Sequence, residues 1–262
     1  MPPPGGSFGI CSGALISAIH VLTADHCFGD QSSDLASETT VKFPDAGGNV
    51  GGIGAVSPGG SYGVTSVLRM SPPSDDISNL LNGADLAILT LATSVTDREP
   101  FLVLNLPLAA VDETAVTGGY GRCGVGSTGA GSSTSKATRA ARQVVEFYGA
   151  AKAVGTQITS GPGGSTTTDV LLDRPNTENI FTTDFDEPDG GDADDDPEVD
   201  TFGATDISIP VSSALVADGE GTPAGGDSGG PLLVMINGQW VIAGVLSGGT
   251  STSSVYGDLS YW

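Results

Sequence analysis

The sequence predicts an all-β protein, and three features of its composition and patterning lead to that fold class. Glycine accounts for 40 of the 262 residues, while charged side chains make up only 15%. Valine, isoleucine, leucine and threonine are plentiful, yet few stretches repeat apolar residues with the period of a helix. Asn237-Gly238 separates two apolar segments, which is a strong signal for a β-hairpin. A chain of this length can form one large β domain or two small ones.

Short strands are expected along the whole chain, wherever an apolar segment lies between turn residues. The expected strands are two within 8–24, with a break near Ser17-Ala18, and then 39–43, 62–70, 85–91, 114–120, 138–147, 232–236, 240–246 and 255–262. Residues 121–136 are rich in glycine and serine and predict a mobile loop. The apolar connection 100–111 contains two prolines and is interpreted as the boundary between two halves, 1–105 and 106–262.

The formal net charge of −22 excludes several classes of partner. Such a chain repels nucleic acid and anionic membranes, and no apolar run approaches the ~18 residues of a membrane span. Residues 184–200 carry ten acidic side chains with no Lys or Arg among them. A solvated surface loop is the favoured interpretation. Calcium bound by Asp189, Asp192 and Asp194 is the alternative, although the spacing does not match an EF-hand.

The three cysteines indicate one disulfide and one remaining thiol. Cys11 and Cys27 flank an apolar segment and suit a disulfide that closes a hairpin. A disulfide that closes a loop of this size would stabilise the fold by about 3 kcal/mol. Cys123 is then either free or paired outside the chain. A disulfide implies a secreted or otherwise extracytoplasmic location. No signal peptide is visible, so Met1 is interpreted as a cut or misassigned start rather than as evidence for a cytosolic protein.

The segment with the clearest chemical meaning is 225–231, Gly-Gly-Asp-Ser-Gly-Gly-Pro, directly before an apolar strand. Its glycines allow a sharp turn, and the N–H groups of Gly226 and Ser228 can stabilise an oxyanion while the Ser228 hydroxyl attacks. The alternative is an ordinary glycine-rich turn. A serine nucleophile needs a base, for which His26 is the candidate, while His20 is interpreted as structural.

Three motifs in chain order carry a family resemblance. Residues 23–27 (Thr-Ala-Asp-His-Cys), 85–89 (Asp-Leu-Ala-Ile-Leu) and 226–231 (Gly-Asp-Ser-Gly-Gly-Pro) together resemble the trypsin/chymotrypsin-like serine proteases. The resemblance covers most of the chain, and residues 121–220 match loosely. The Gly-Tyr-Gly turn at 119–121 and the residues around 184–186 and 220–226 resemble secreted bacterial members more than the vertebrate digestive enzymes.

The resemblance implies two antiparallel six-stranded β-barrels with a site in the cleft between them. It also implies that the first strand and the C-terminal helix of the family are absent from this chain. His26 and Asp85 would belong to the first barrel and Ser228 to the second. Ser228 would be the nucleophile, His26 the general base, and Asp85 the group that orients His26. The N–H groups of Gly226 and Ser228 would form the oxyanion hole.

The resemblance further implies a monomeric enzyme without a cofactor that acts on protein or peptide substrates. Ser247 and Gly249 would lie on the strand that pairs with the substrate backbone. Thr222 aligns with the base of the specificity pocket, where no acid stands, so cleavage after Lys or Arg is not supported. A small or medium apolar side chain is the expected preference, with Glu220 keeping a basic preference as an alternative.

Two departures from the family pattern raise structural questions. Asp25 stands where the family usually has Ala, which places a second carboxylate beside the base. Family members commonly pair the acid before the serine, here Asp227, with a new terminal amine. Arg122 is the expected internal substitute, as one of only nine Lys and Arg residues.

Two further functions remain open from the sequence. One is a protease-fold binding protein with a silent or immature site. The other is an acidic, calcium-dependent adhesion module that rests on residues 184–200 alone.

Overall fold

The computed structural model describes fourteen stretches of the chain, and every structural statement below concerns these. They are residues 9–29, 35–46, 57, 59–70, 83–104, 113–125, 129–134, 139–145, 147–148, 153–161, 164–172, 181–183, 221–249 and 260–261. The calcium candidates Asp189, Asp192 and Asp194 and the rest of the acidic segment lie outside them.

The described residues are mostly strands, as the sequence predicts. The strands of the first part are β1 (Ala14–Ser17), β2 (His20–Thr23), β3 (Thr40–Lys42), β4 (Ser61–Arg69), β5 (Ala87–Leu91) and β6 (Leu102–Val103). Those that follow are β7 (Glu113–Gly119), β8 (Arg122–Val125), β9 (Gly129–Thr134), β10 (Arg139–Val145), β11 (Phe147–Tyr148), β12 (Ala153–Gly161), β13 (Gly164–Leu172), β14 (Phe181–Thr183), β15 (Pro231–Ile236), β16 (Gln239–Val245), β17 (Gly248–Gly249) and β18 (Ser260–Tyr261). A 3₁₀ turn, Asp25–Phe28, and one helical turn, α1 (Leu35–Glu38), complete the set. None of these described helices is both long and apolar enough to cross a membrane.

The first sheet is antiparallel, with the strand order β1-β2-β5-β4-β3. Alternate side chains of β5 are buried, namely Ala87, Leu89 and Leu91, because successive residues of a strand point to opposite faces. The buried face packs into one apolar cluster, formed by Leu15, Val21, Val64, Leu89, Leu91 and Val95. This sheet therefore has its own core and presents the end of β2, where the 3₁₀ turn begins.

The second sheet has the order β10-β7-β15-β16-β6 and a core of its own. The core consists of Ala115, Val145, Leu232, Val234, Val241 and Leu246. Strand β6, at Leu102–Val103, pairs in parallel with β16, although it precedes the expected boundary at residue 105. The chain thus enters the second sheet before that boundary, and the division into 1–105 and 106–262 stays a prediction.

A third apolar cluster joins the two sheets. Its buried members come from β1, β2 and the residue after β2 on one side and from β16 on the other: Ala14, Leu22, Ala24, Ile242 and Val245. Leu86 and Phe101 pack against this cluster from the first half and Leu233 from the second. Ala24 is completely buried and directly precedes the 3₁₀ turn. The junction between the sheets is consequently where residues of both halves meet.

Most of the expected strands are confirmed, and one expected loop is wrong. Residues 121–136 do not form a loop alone, because β8 and β9 pair there as an antiparallel hairpin, with Val125 opposite Gly129. Backbone hydrogen bonds need no apolar side chains, so a glycine- and serine-rich hairpin gives little pattern to detect. The hairpin signal at Asn237-Gly238 is confirmed, since both residues have positive φ, at 51° and 80°, and join β15 to β16.

Candidate active site

His26 lies in the 3₁₀ turn that directly follows β2. The disulfide between Cys11 and Cys27 is present, and it joins this turn to the residues before β1, with a Cα–Cα distance of 6.2 Å. Cys123 is free. The residue before the turn, Ala24, makes no side-chain cap, so tertiary contacts hold the turn rather than a local capping residue.

Asp85 binds the base through two atoms. Its Oδ1 accepts the backbone N–H of His26 at 2.8 Å, and its Oδ2 lies 2.7 Å from His26 Nδ1. Asp85 is buried, whereas the His26 side chain is 34% exposed. Burial by itself raises the pKa of Asp85, but the hydrogen bonds from His26 and Ser247 outweigh it and leave the pKa below its ordinary value of 3.8. An ionised carboxylate only accepts, so Nδ1 carries the proton and Nε2 remains an acceptor.

The third donor to Asp85 is a residue whose role the sequence did not indicate. Ser247 Oγ donates to Asp85 Oδ2 at 2.6 Å. Ser247 was expected on the strand that pairs with substrate, and it lies directly before β17. Its hydroxyl therefore ties the second half of the molecule to the acid of the first. No local motif predicts this contact, because the two residues lie 162 positions apart.

Asp25, the second carboxylate, does not bind His26 through its side chain. It is only 5% exposed and is held by the guanidinium of Arg69, which donates from Nε to Oδ1 at 2.6 Å and from Nη2 to Oδ2 at 3.0 Å. Such a two-point ion pair fixes the orientation of both groups. Sequence analysis singled out Asp25 but missed Arg69. The one available signal was the scarcity of basic residues in the chain.

The loop that carries Ser228 is fixed by hydrogen bonds to five successive carbonyl groups. Two of these bonds are made within the loop: the N–H of Asp227 donates to Ala224 (2.9 Å) and the N–H of Gly230 donates to Asp227 (2.7 Å). The N–H of Arg122 donates to Gly225 (2.9 Å). Ser12 donates twice, from its hydroxyl to Gly226 (3.1 Å) and from its N–H to Ser228 (2.7 Å). In a trans peptide the C=O and N–H groups point in opposite directions. Each anchored carbonyl therefore also sets the direction of the next N–H.

Three N–H groups of this loop donate none of the hydrogen bonds that the structure describes. They are those of Gly225, Gly226 and Ser228, whereas the N–H groups of Asp227, Gly229 and Gly230 all donate to backbone carbonyls. Gly225 C=O points to Arg122, so the N–H of Gly226 points to the opposite side. The N–H groups expected to form the oxyanion hole are thus among those without a described acceptor, and their role stays a prediction.

Ser12 connects the serine loop to the first half. It is buried, and its hydroxyl accepts the N–H of Tyr120 at 3.1 Å while donating to Gly226. Its carbonyl accepts the hydroxyl of Thr23 at 2.7 Å. Because Ser12 follows Cys11, whose disulfide partner follows His26, the same short segment contacts the turn of His26 and the loop of Ser228.

Glycine is required at two positions of the serine loop. Gly226 has φ 103° and Gly229 has φ 80°, both in the left-handed region that side chains disfavour. A Cβ on Gly229 would also lie 2.2 Å from Thr23 Oγ1. The motif around Ser228 is therefore a conformational requirement as well as a chemical signature.

The described contacts of Asp227 differ from the expected ion pair with the side chain of Arg122. Its carboxylate accepts the N–H of Gly121 at 2.6 Å and the N–H of Ala224 at 2.9 Å, and no ion pair to it occurs among the described residues. Burial raises the pKa of Asp227 above 3.8, and the two backbone donors only partly offset this effect. Arg122 contributes through its backbone N–H to Gly225 instead, so the expected side-chain pairing is wrong for the described part of the chain.

The remaining predicted residues lie around this centre. Thr222 is partly buried in the segment before the serine loop, next to Gly221, whose N–H donates to the carbonyl of Arg142. Gly249 is exposed at the end of β17, opposite Ser260. His20 lies at the start of β2, where its Nδ1 is 2.8 Å from Ser17 Oγ, away from the site.

One cluster of potential metal ligands occurs within the described stretches. It consists of Cys11, His26 and Cys27. The two sulfur atoms are joined to each other, so they are not available as thiolate ligands. His26 alone does not make a metal site.

Comparison with known proteins gives one finding. A family model described as Trypsin matches residues 5–153, which is more than half of the chain. The match includes His26 and Asp85 and ends before the serine loop. A search of curated proteins gave no match.

Proposed function

Because the chain belongs to the trypsin family, we propose that it is a serine endopeptidase that hydrolyses peptide bonds through an acyl-enzyme on Ser228. The observation that carries this proposal is the hydrogen-bonded chain from Ser247 to Asp85 to His26, beside a serine loop whose Ser228 carbonyl oxygen lies 3.9 Å from Sγ of Cys27, the residue after His26. A binding protein needs none of these groups together, so their joint presence supports an enzyme.

Acylation would begin with attack of Ser228 Oγ on the substrate carbonyl carbon. His26 Nε2 takes the hydroxyl proton, since Nδ1 already carries the proton that faces Asp85. The negative charge of Asp85 stabilises the imidazolium that forms. The tetrahedral oxyanion is placed against the N–H groups of Gly226 and Ser228, whose direction the anchored carbonyls fix.

Collapse of this intermediate breaks the C–N bond, and His26 gives its proton to the leaving amine. A water molecule then attacks the ester carbonyl and loses a proton to His26. The second tetrahedral intermediate collapses to release the carboxylic acid and return the proton to Ser228 Oγ. The net reaction consumes one water per peptide bond and leaves the enzyme unchanged.

The proposed substrate is a protein or peptide in an extended conformation. Ser247 lies directly before β17 and Gly249 is its last residue, and a substrate backbone would pair along this segment. The specificity pocket is assigned to Thr222, with a small or medium apolar side chain as the preferred residue and Glu220 as the reason to test basic ones. The Cys11–Cys27 disulfide supports action outside the cytoplasm, as in secreted bacterial members of the family.

The proposal is tested by labelling with a fluorophosphonate probe, which reacts with activated serines. Wild type is compared with Ser228→Ala and His26→Ala. Ser17→Ala and His20→Ala serve as controls, because the described side-chain bonds of Ser17 and His20 stay within the β1–β2 turn. Labelling of wild type and both controls, with loss in both site variants, supports the peptidase. Absence of labelling in folded wild type contradicts it and favours a silent protease-fold binding protein.

A further inference from the structure

The burial of Asp25 requires an explanation that the catalytic groups do not provide. A carboxylate removed from water is costly unless it is paired. Asp25 is 5% exposed and directly precedes the base, so an unpaired charge here would act on His26 at short range. Its partner, Arg69, is itself only 11% exposed at the side chain, and both ends of the pair are inside the protein.

Arg69 reaches the turn from the strand that neighbours Asp85. It is the last residue of β4 and pairs with Ala87 of β5, two positions after Asp85. The next backbone N–H, that of Met70, donates to the carbonyl of Leu86 at 2.9 Å. The backbone of Arg69 is therefore fixed to the segment that carries the orienting acid, while its side chain is fixed to the turn that carries the base.

Three contacts join that side chain to Asp25. Besides the two bonds to the carboxylate, Nη2 lies 3.5 Å from the backbone carbonyl of Asp25. The turn is thus held on both sides of one peptide: Arg69 holds Asp25, and Asp85 accepts the N–H of His26. A shift of the turn away from Asp85 would have to break both sets of bonds.

We propose that Arg69 is a positioning residue for the reaction, which holds the His26 turn through Asp25 and cancels the charge of that carboxylate. His26 then responds to one uncompensated carboxylate, Asp85, instead of two. This inference rests on the proposed function for its kinetic consequences. Its electrostatic consequence concerns His26 alone and can be measured in a protein without activity.

The charged groups that bond to this turn come from each neighbouring element. Asp25 belongs to the turn itself, Arg69 to β4, and Asp85 to the segment before β5, while the second half contributes the neutral hydroxyl of Ser247. A nearby negative charge favours the protonated imidazole, and a positive charge disfavours it. Removing one member of the Asp25–Arg69 pair leaves the charge of the other uncompensated near His26.

The test uses Arg69→Gln, Asp25→Asn, the double variant and Arg69→Lys. The titration midpoint of the His26 ring is followed by NMR in a His20→Gln background, which leaves one histidine in the chain. Arg69→Gln leaves a buried carboxylate and should move the midpoint up by about one pH unit, and Asp25→Asn should move it down by a similar amount. The midpoint of the double variant should differ from that of wild type by no more than about a third of this shift.

Kinetics separate positioning from charge. Arg69→Lys keeps the charge but loses the two-point fork, so the NMR midpoint should stay near wild type while kcat falls about 10-fold, with KM changing less than about 2-fold. Asp97→Asn is the matched control. It breaks a second Arg–Asp pair of the described residues, Arg98–Asp97, in which the Asp97 side chain is 55% exposed, and it should leave both measurements unchanged.

Opposite shifts for the two single variants, with recovery in the double variant, support the charge cancellation. Shifts in the same direction, or no shift in folded variants, overturn it. If a single variant does not fold, Arg69→Lys still decides the positioning role, because unchanged kcat and KM would contradict it. If wild type fails to react with a fluorophosphonate while the NMR shifts occur as stated, the proposed peptidase is wrong and the relation between Arg69 and His26 stands.

Discussion

The two sides of the candidate site are held in different ways. On the base side, Asp85 is surrounded by side-chain donors, the ring of His26 and the hydroxyl of Ser247, besides one backbone N–H. On the serine side, the donors to Asp227 among the described residues are both backbone N–H groups, those of Gly121 and Ala224. The pKa of Asp85 is accordingly lowered and that of Asp227 raised, although burial pushes both upward.

This difference shows that the base side is built by electrostatics and the serine side by backbone geometry. A side-chain donor carries a charge or dipole that can be removed by a single isosteric substitution. A backbone N–H donor remains after any substitution except one by proline, and otherwise it is displaced only when the chain moves. Substitutions that change charge should therefore act mainly on the base side, and substitutions that add volume should act mainly on the serine side.

The largest effect is expected from Asp85→Asn. The amide can donate to His26, which favours the tautomer with the proton on Nε2 and removes the acceptor that the reaction needs. The kcat should fall about 10⁴-fold, the magnitude typical of this change in a Ser-His-Asp triad. Steady-state kinetics on a peptide substrate, with thermal unfolding to show that the variant is folded, provide the measurement. A fall of less than 10-fold would mean that Asp85 does not set the tautomer.

The next largest effect is expected on the serine side, where Gly121→Ala should lower the free energy of unfolding. A Cβ at this position would lie 2.5 Å from Asp227 Cγ and Oδ2, which forces the backbone donor away from the carboxylate. We expect a loss of about 2–3 kcal/mol in the free energy of unfolding. Urea unfolding provides the value. Gly248→Ala is the control, because a Cβ there meets nothing within 4 Å, and its stability should change by less than about 0.5 kcal/mol.

A pair of serine substitutions sharpens the comparison. Ser247→Ala removes a hydrogen bond to an ionised carboxylate and should cost about 1.5 kcal/mol of stability, whereas Ser12→Ala removes hydrogen bonds between neutral groups and should cost about 1 kcal/mol. Ser247→Ala should also raise the pKa of Asp85, because one of its stabilising donors is lost. Equal costs at both positions, measured by urea unfolding at neutral pH, would argue against an electrostatic base side.

The smallest effects are expected in the pH dependence of stability, where the two sides have opposite signs. The lowered pKa of Asp85 gives a stabilisation that is complete above its ordinary value of 3.8 and is lost as the pH falls through the folded-state pKa. The raised pKa of Asp227 gives a stabilisation that is complete below 3.8 and is lost as the pH rises through the folded-state pKa.

Urea unfolding of wild type, Asp85→Asn and Asp227→Asn between pH 3 and 7 separates these contributions. The stability of wild type relative to Asp227→Asn should increase on acidification from pH 7 toward 3.8. Its stability relative to Asp85→Asn should decrease on acidification below 3.8. Two differences with the same sign would show that the partners seen around the two carboxylates do not determine their titration.

Much of the fold could be predicted because strands and turns leave local patterns. The apolar alternation of β5 and the Asn237-Gly238 turn are each visible within a few residues. The β8–β9 hairpin could not be predicted in this way, because glycine and serine form the same backbone bonds without an apolar pattern. The pairing of Leu102–Val103 with the second sheet could not be predicted either, because a two-residue strand is too short to show an alternation of apolar and polar residues.

The sequence by itself determined the candidate residues for the chemistry: His26, Asp85 and Ser228 stand in recognisable local motifs, and Cys11 and Cys27 have a spacing that suits their disulfide. Only the tertiary structure decided what holds them. Ser247 on Asp85, Ser12 on Gly226, Arg69 on Asp25 and the N–H of Gly121 on Asp227 are all contacts between residues far apart in the chain. Such contacts depend on how the strands pair and pack, so no short stretch of sequence contains them.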